Sequence, residues 1–204
     1  MNAGDGQMIA LWVKAAYTAM AALVVSVYCV AYKPANFLWF SDIALIGLVP
    51  ALWLENSLLA SMMALAVLLP EILWNIGFFS RLIFGVSLFG LSDYMFDGTR
   101  PLYVRALSLF HVVLPVALVW TVSRLGYDRR ALGAQTGLGW AVLIVTYLVT
   151  EPADNINWVF GPGGQPQHRL PGAVYFLLVM IVFPLAVYVP THLVLAALFG
   201  RRAT

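Results

Sequence analysis

The sequence predicts an all-α protein, a polytopic bundle of membrane-spanning helices, and three observations carry that prediction. Apolar runs of about 20 residues, the length needed to cross a bilayer, recur from one end of the chain to the other. Only 10% of the 204 residues are charged and 62% are hydrophobic, whereas soluble domains carry about a quarter charged residues. The mean hydropathy is +0.89, and no stretch is polar enough to form a separate soluble unit. Residues 1–204 therefore read as a single integral membrane domain.

Six spans are expected, at about 9–32, 36–54, 57–79, 101–123, 132–150 and 172–199. Lys33-Pro34 closes the first, because proline cannot continue the preceding helix. Glu55-Asn56 separates the second from the third, and Asn56 is a good N-cap. The stretch 80–100, with its glycines and aspartates, ends the third span. Gly126-Tyr-Asp-Arg-Arg130 and the Pro/Gly-rich 151–171 bound the fifth. Segment 82–92, LIFGVSLFGLS, is apolar but too short to cross and is assigned to the interface; were it to cross, there would be seven spans.

Orientation follows from the basic residues near span ends. With the N-terminus in the cytoplasm, the inner side collects Lys14, Arg124, Arg129, Arg130, Arg201 and Arg202, against Lys33, Arg81, Arg100 and Arg169 outside. Both termini are thus expected inside, in a bacterial cytoplasmic membrane. The first run exceeds a signal-peptide core and reads as a retained span. The lone cysteine, Cys29, excludes an intrachain disulfide. The basic residues are dispersed, so nucleic acid is not an expected partner; membrane lipids, and partner subunits within the membrane, are.

The polar residues inside the spans converge on one depth. Counted at 1.5 Å per residue, Asp42, Glu71, Asn75, Arg105, Ser108 and His111 all fall in the outer half of the membrane, close to Asn155, Asn157 and Trp158 in the loop after span five. Each ionisable group at that depth is costly unless it faces a partner or water. Arg105 is therefore expected to pair with a carboxylate, Asp42 or Glu71, with Ser108 between Arg105 and His111. Pro115 leaves the carbonyl of His111 without its usual helical donor.

Several chemistries are excluded. A retinal site needs a lysine deep in a span, and Lys14 and Lys33 are not so placed. Bis-histidine haem needs a second histidine at the depth of His111, which neither His168 nor His192 supplies. No metal or other cofactor is expected. Proton or quinone chemistry at His111 stays open, because a histidine with nearby carboxylates can titrate near neutral pH.

Three pieces in order, FLWFSDIALI, SLFHVVLPVALVW and NINWVFGP, resemble the bacterial YwaF-type family of six-helix membrane proteins and its animal relatives. On that resemblance Asp42, His111 and Asn157-Trp158 match family positions, and Ser41 stands where the family has a cysteine; Trp39 replaces an earlier family histidine. An animal branch is associated with acyl transfer between phospholipids. The resemblance then implies Ser41 as nucleophile, His111 as general base, and Asp42 or Glu71 orienting the imidazole; the shared depth of the polar layer adds Glu71, Asn75, Arg105, Ser108, Asn155, Asn157 and Trp158 as the expected lining of the site. The alternative is a non-catalytic accessory subunit or scaffold of a larger respiratory or photosynthetic membrane complex. An enzyme needs Ser41 and His111 on one lipid-accessible cavity, whereas a scaffold needs only satisfied pairs.

Overall fold

Why the chain folds as it does is set by its backbone as much as its side chains. In hydrocarbon every peptide group must find its partner inside the protein, so a chain this apolar forms helices. The structure, a computed structural model describing residues 8–200, has five helical stretches long and apolar enough to cross a membrane. They are α1 (Leu11–Ala31), α3 (Ser57–Phe84), the pair α4 (Leu102–Leu107) and α5 (Phe110–Leu125), α6 (Ala131–Val149), and the pair α7 (Gly172–Val182) and α8 (Val189–Phe199). A shorter apolar helix, α2 (Phe40–Trp53), lies between α1 and α3.

The bundle is organised around α3, which is 56% buried along its most apolar window while the other four crossings are 17–28% buried. Its first half is lined with small residues: Ala60, Ser61, Ala64 and Ala66 are at most 1% exposed. Small side chains let helix backbones approach closely, which drives association where lipid removes the hydrophobic incentive. Gly47 of α2 fits directly against α3, where a Cβ would collide with the sulfur of Met63.

Two boundaries differ from the sequence expectation. The third span does not stop near residue 79 but continues to Phe84, giving a helix of 28 residues, ~42 Å long against a hydrocarbon core of ~30 Å. Ser80 and Arg81 read as a polar break, yet Arg81 pairs with Asp93 and its carbonyl accepts the N–H of Gly85. Gly85, at φ 70°, is the left-handed residue that ends the helix. Segment 82–92 is thus split between the helix tail and an irregular connection. The second span begins later than residue 36: Pro34–Leu38 form a 3₁₀ turn, and α2 has only 14 residues, ~21 Å.

The short α2 is made tenable by the loop that follows α6. Asn157 accepts the N–H of Phe40 at 3.1 Å through Oδ1 and donates from Nδ2 to the carbonyl of Leu38 at 2.7 Å. One buried side chain thereby satisfies the exposed start of α2. The loop itself is organised by Asn155, whose amide nitrogen donates to the carbonyls of Gly161, Gly163 and Gln165, and whose oxygen accepts the N–H of Phe160.

Prolines inside the helices free backbone carbonyls, and neighbouring helices supply donors. Pro184 removes the partner of the Met180 carbonyl, where the last crossing loosens into a π-helical turn over Phe183–Tyr188. The indole N–H of Trp140 on α6 donates to that carbonyl at 2.9 Å. At the opposite end of the bundle from Asn157, the turn after α2 is held by Glu55, which accepts from Lys14 and from the N–H groups of Met8 and Ile9. Those bonds, the one from Lys14 foremost, hold the Glu55 carboxyl below the usual carboxylate range, and they account for a buried lysine at position 14.

Candidate functional site

Glu71 lies one residue after Pro70 near the middle of α3, and His111 opens α5 just past a break at Ser108–Leu109. That break rotates α5 so that the imidazole faces α3. Nδ1 of His111 lies 2.9 and 2.8 Å from the two Glu71 carboxylate oxygens. The carboxylate is almost fully enclosed, at 3% side-chain exposure, while the imidazole is 14% exposed, so the histidine is the accessible member of the pair. A carboxylate bonded to Nδ1 keeps the proton there and leaves Nε2, which has no hydrogen bond among the described residues, as the basic nitrogen.

The ring is clamped by aromatic faces. Trp74, three residues along α3 from Glu71, stacks on it at 4.7 Å between centroids, and Phe110 stacks at 4.1 Å. An indole face favours a cation, so this stack supports the imidazolium that appears when Nε2 takes a proton. Asn75 completes the frame. Its Nδ2 donates to the Glu71 carbonyl on its own helix and to the His111 carbonyl across the interface, both at 2.8 Å. The second of these is the carbonyl that Pro115 deprives of a helical partner.

Asp42, the third acid, is 4% exposed and lies within electrostatic reach of both His111 and Glu71. Asn36 donates to its Oδ2 at 3.3 Å, and its Oδ1 is buried without a partner. A cleft of about 290 Å³ lined by Tyr32, Lys33, Asn36, Trp39 and Asp154 opens beside Asn36. The acid thus stands between that cleft and the His111–Glu71 pair.

Other expected site residues go elsewhere. Arg105 pairs with neither Asp42 nor Glu71: Nη1 donates to the Met95 carbonyl at 2.9 Å and Nε to the Arg100 carbonyl at 3.1 Å. The cause is plain: Arg105 lies close to the helix start, and a long guanidinium reaches back out of the apolar layer to the carbonyls of Met95 and Arg100. Ser108 does not bridge Arg105 and His111; its hydroxyl bonds to that of Tyr28 at 2.7 Å, joining α1 to the break before α5. Asn155, Asn157 and Trp158 build the loop over α2, with Tyr175 donating to the Trp158 carbonyl. Ser41 is half-buried beside Asp42 and has no hydrogen bond to His111 among the described residues.

Four contributors were not singled out from the sequence: Trp74, Phe110, Asn36 and Tyr28. Trp74 carries a usable signal, being three residues from Glu71 and so on the same helical face. Tyr28 carries none, because its role depends on a contact between helices; Asn36 reaches Asp42 six residues on through the 3₁₀ turn before α2, a geometry that helical spacing does not reveal.

The Asn75 bond is testable as a cycle. Asn75→Leu leaves the His111 carbonyl unpaired in an apolar setting and should cost about 1–3 kcal/mol. In a Pro115→Ala background the backbone N–H of residue 115 returns, so the same substitution should cost less than half as much when unfolding is titrated in detergent micelles. An equal cost in both backgrounds would mean that Asn75 does not serve that carbonyl.

The chain matches no family model, no curated protein and no solved structure.

Proposed function

We propose that this is a six-span membrane protein, with both termini in the cytoplasm, that carries out acid–base chemistry on a lipid-phase substrate at His111 and Glu71. The observation that carries the reading is the Glu71 carboxylate on Nδ1 of an accessible imidazole, an arrangement that aims the free Nε2 as a base. Counting α2 as a crossing puts the termini on one side, and the basic residues put that side inside.

The reaction that fits a base in a lipid setting is acyl transfer or hydrolysis. Nε2 takes the proton of a hydroxyl, that of Ser41, of an acceptor alcohol or of water, as its oxygen bonds to an ester carbonyl carbon; an acyl group placed on Ser41 leaves by the same steps, with the acceptor alcohol or water attacking and the Ser41 oxygen departing. The tetrahedral intermediate collapses when His111 returns the proton to the departing alcohol oxygen, while Glu71 holds Nδ1–H throughout and stabilises the imidazolium. Ser41 is the candidate nucleophile by its position next to Asp42 at the start of α2. The competing reading, a subunit without catalysis, treats the His111–Glu71 pair as a closed contact between helices.

The test is turnover of a fluorescent phospholipid donor with a lysophospholipid acceptor in liposomes. Wild-type protein should transfer or hydrolyse the acyl chain, and His111→Gln should lower the rate about 100-fold or more. Full activity in Ser41→Ala with loss in His111→Gln would assign the attack to water or the acceptor hydroxyl. No turnover above empty liposomes would leave the subunit reading standing.

A further inference from the structure

The lipid-facing side of α3 and α5 carries a groove of about 910 Å³, and its wall is almost entirely apolar: Leu68, Ile72, Ile76 and Phe79 from α3, with Val112 and Val116 among those from α5. It runs ~16 Å along α3, from Leu68 to Phe79. Three side chains with polar atoms line it, Asn75, Ser123 and Trp120, the last through its indole N–H. Ser123 is already spent, its hydroxyl donating to the Trp120 carbonyl at 2.7 Å. Asn75 is not.

Both hydrogens of the Asn75 amide are committed, one to the Glu71 carbonyl and one to the His111 carbonyl. Because both partners are acceptors, the nitrogen must face them, which fixes the amide orientation and leaves Oδ1 without a hydrogen bond among the described residues. A carbonyl oxygen without a donor is costly next to hydrocarbon, and water is scarce there. The groove therefore asks for one donor at one place, on a molecule otherwise made of apolar chain.

We infer that this groove binds a single-chain lipid that carries a hydroxyl at its head end, with the chain along α3 and α5 and the O–H donated to Oδ1 of Asn75. The inference rests on the proposed function only in naming the lipid that is brought beside His111. It sets the substrate class as a lipid alcohol, the acceptor side of an acyl transfer. A lipid lacking a donor fits the walls equally well but leaves Oδ1 unpaired, so hydrogen bonding, not shape, selects the ligand.

The experiment is photolabelling of the full chain in phosphatidylcholine vesicles with two matched probes, a monoacylglycerol bearing a diazirine in its chain and the dimethyl ether of the same molecule. The hydroxyl probe should label peptides spanning 68–79 and 112–123 about tenfold more than the ether, the effect of one hydrogen bond of ~1.4 kcal/mol in an apolar medium. Val116→Trp, which fills the groove from a 68% exposed position without touching the Asn75 bonds, should abolish that labelling. Pro115→Ala/Asn75→Leu, in which the His111 carbonyl regains a backbone donor, should label with both probes alike. Equal labelling of wild type by the two probes overturns the inference, as does labelling that survives Val116→Trp or maps to other faces. Selective labelling of a protein without turnover would keep the groove and remove the acid–base reading.

Discussion

Glu71→Ala is expected to be among the most damaging single substitutions in the bundle, costing about 3–5 kcal/mol, from a buried donor left without an acceptor together with the cavity left by the side chain. The carboxylate is enclosed by α3 and α5 and accounts for both oxygens at Nδ1 of His111. Its removal strands an imidazole between Trp74 and Phe110 with no acceptor, and opens a void at the most densely packed helix of the fold. Glu71→Gln keeps one acceptor for Nδ1–H and should lose about 1–2 kcal/mol, the net worth of one charge-assisted bond exchanged for a neutral one. The readout is the midpoint of unfolding when an anionic denaturing detergent is titrated into the purified protein, followed by tryptophan emission, to which Trp74 reports directly. Equal midpoints for Glu71→Ala and wild type would refute the pairing. Near-wild-type stability of Glu71→Gln with loss of turnover would separate the chemical role of the carboxylate from its structural one.

Asn157→Ala is the second large effect, at about 2–4 kcal/mol, because it strands two backbone groups at once: the N–H of Phe40 and the carbonyl of Leu38. Position 157 also holds a left-handed conformation, φ 51°, that asparagine tolerates better than alanine. Asn157→Asp retains the acceptor for Phe40 and, protonated in this buried setting, a weaker O–H donor to Leu38, so it should fall between alanine and wild type. Limited proteolysis of the protein in micelles gives the second readout. If Asn157 tethers the loop over α2, cleavage within 161–170 should accelerate in Asn157→Ala and much less in Asn157→Asp. Identical cleavage rates in all three would show that the loop is held by other contacts.

These two residues mark how far the sequence could be read. Glu71 and His111 were legible as partners in depth, since rise per residue places both at the same level of the membrane. Depth, however, does not assign pairs. Arg105 lies at a similar level, and charge alone favours Arg105 as the acid's partner. What decides against it is direction: the guanidinium extends back toward carbonyls of residues 95 and 100, whereas the break at Ser108–Leu109 turns His111 toward α3. Asn157 was legible only as a polar loop residue near the site. Its part in capping α2 depends on two backbone groups more than a hundred residues earlier, and no local pattern encodes that separation.

The prolines show the same division. From Pro115 the sequence alone says that the carbonyl of His111 lacks a helical donor, because the missing N–H is a covalent fact. That Asn75 supplies the donor, and that Trp140 does the same for Met180 below Pro184, follows from which helix lies alongside. Composition and the lengths of the apolar runs determined that this chain is a helical membrane protein, since the cost of unpaired peptide groups in hydrocarbon admits little else. The tertiary structure alone decided which polar side chains meet. In an apolar bundle each of them has few partners within reach, and helix rotation, set by packing of small residues and by breaks such as Ser108–Leu109, selects among them.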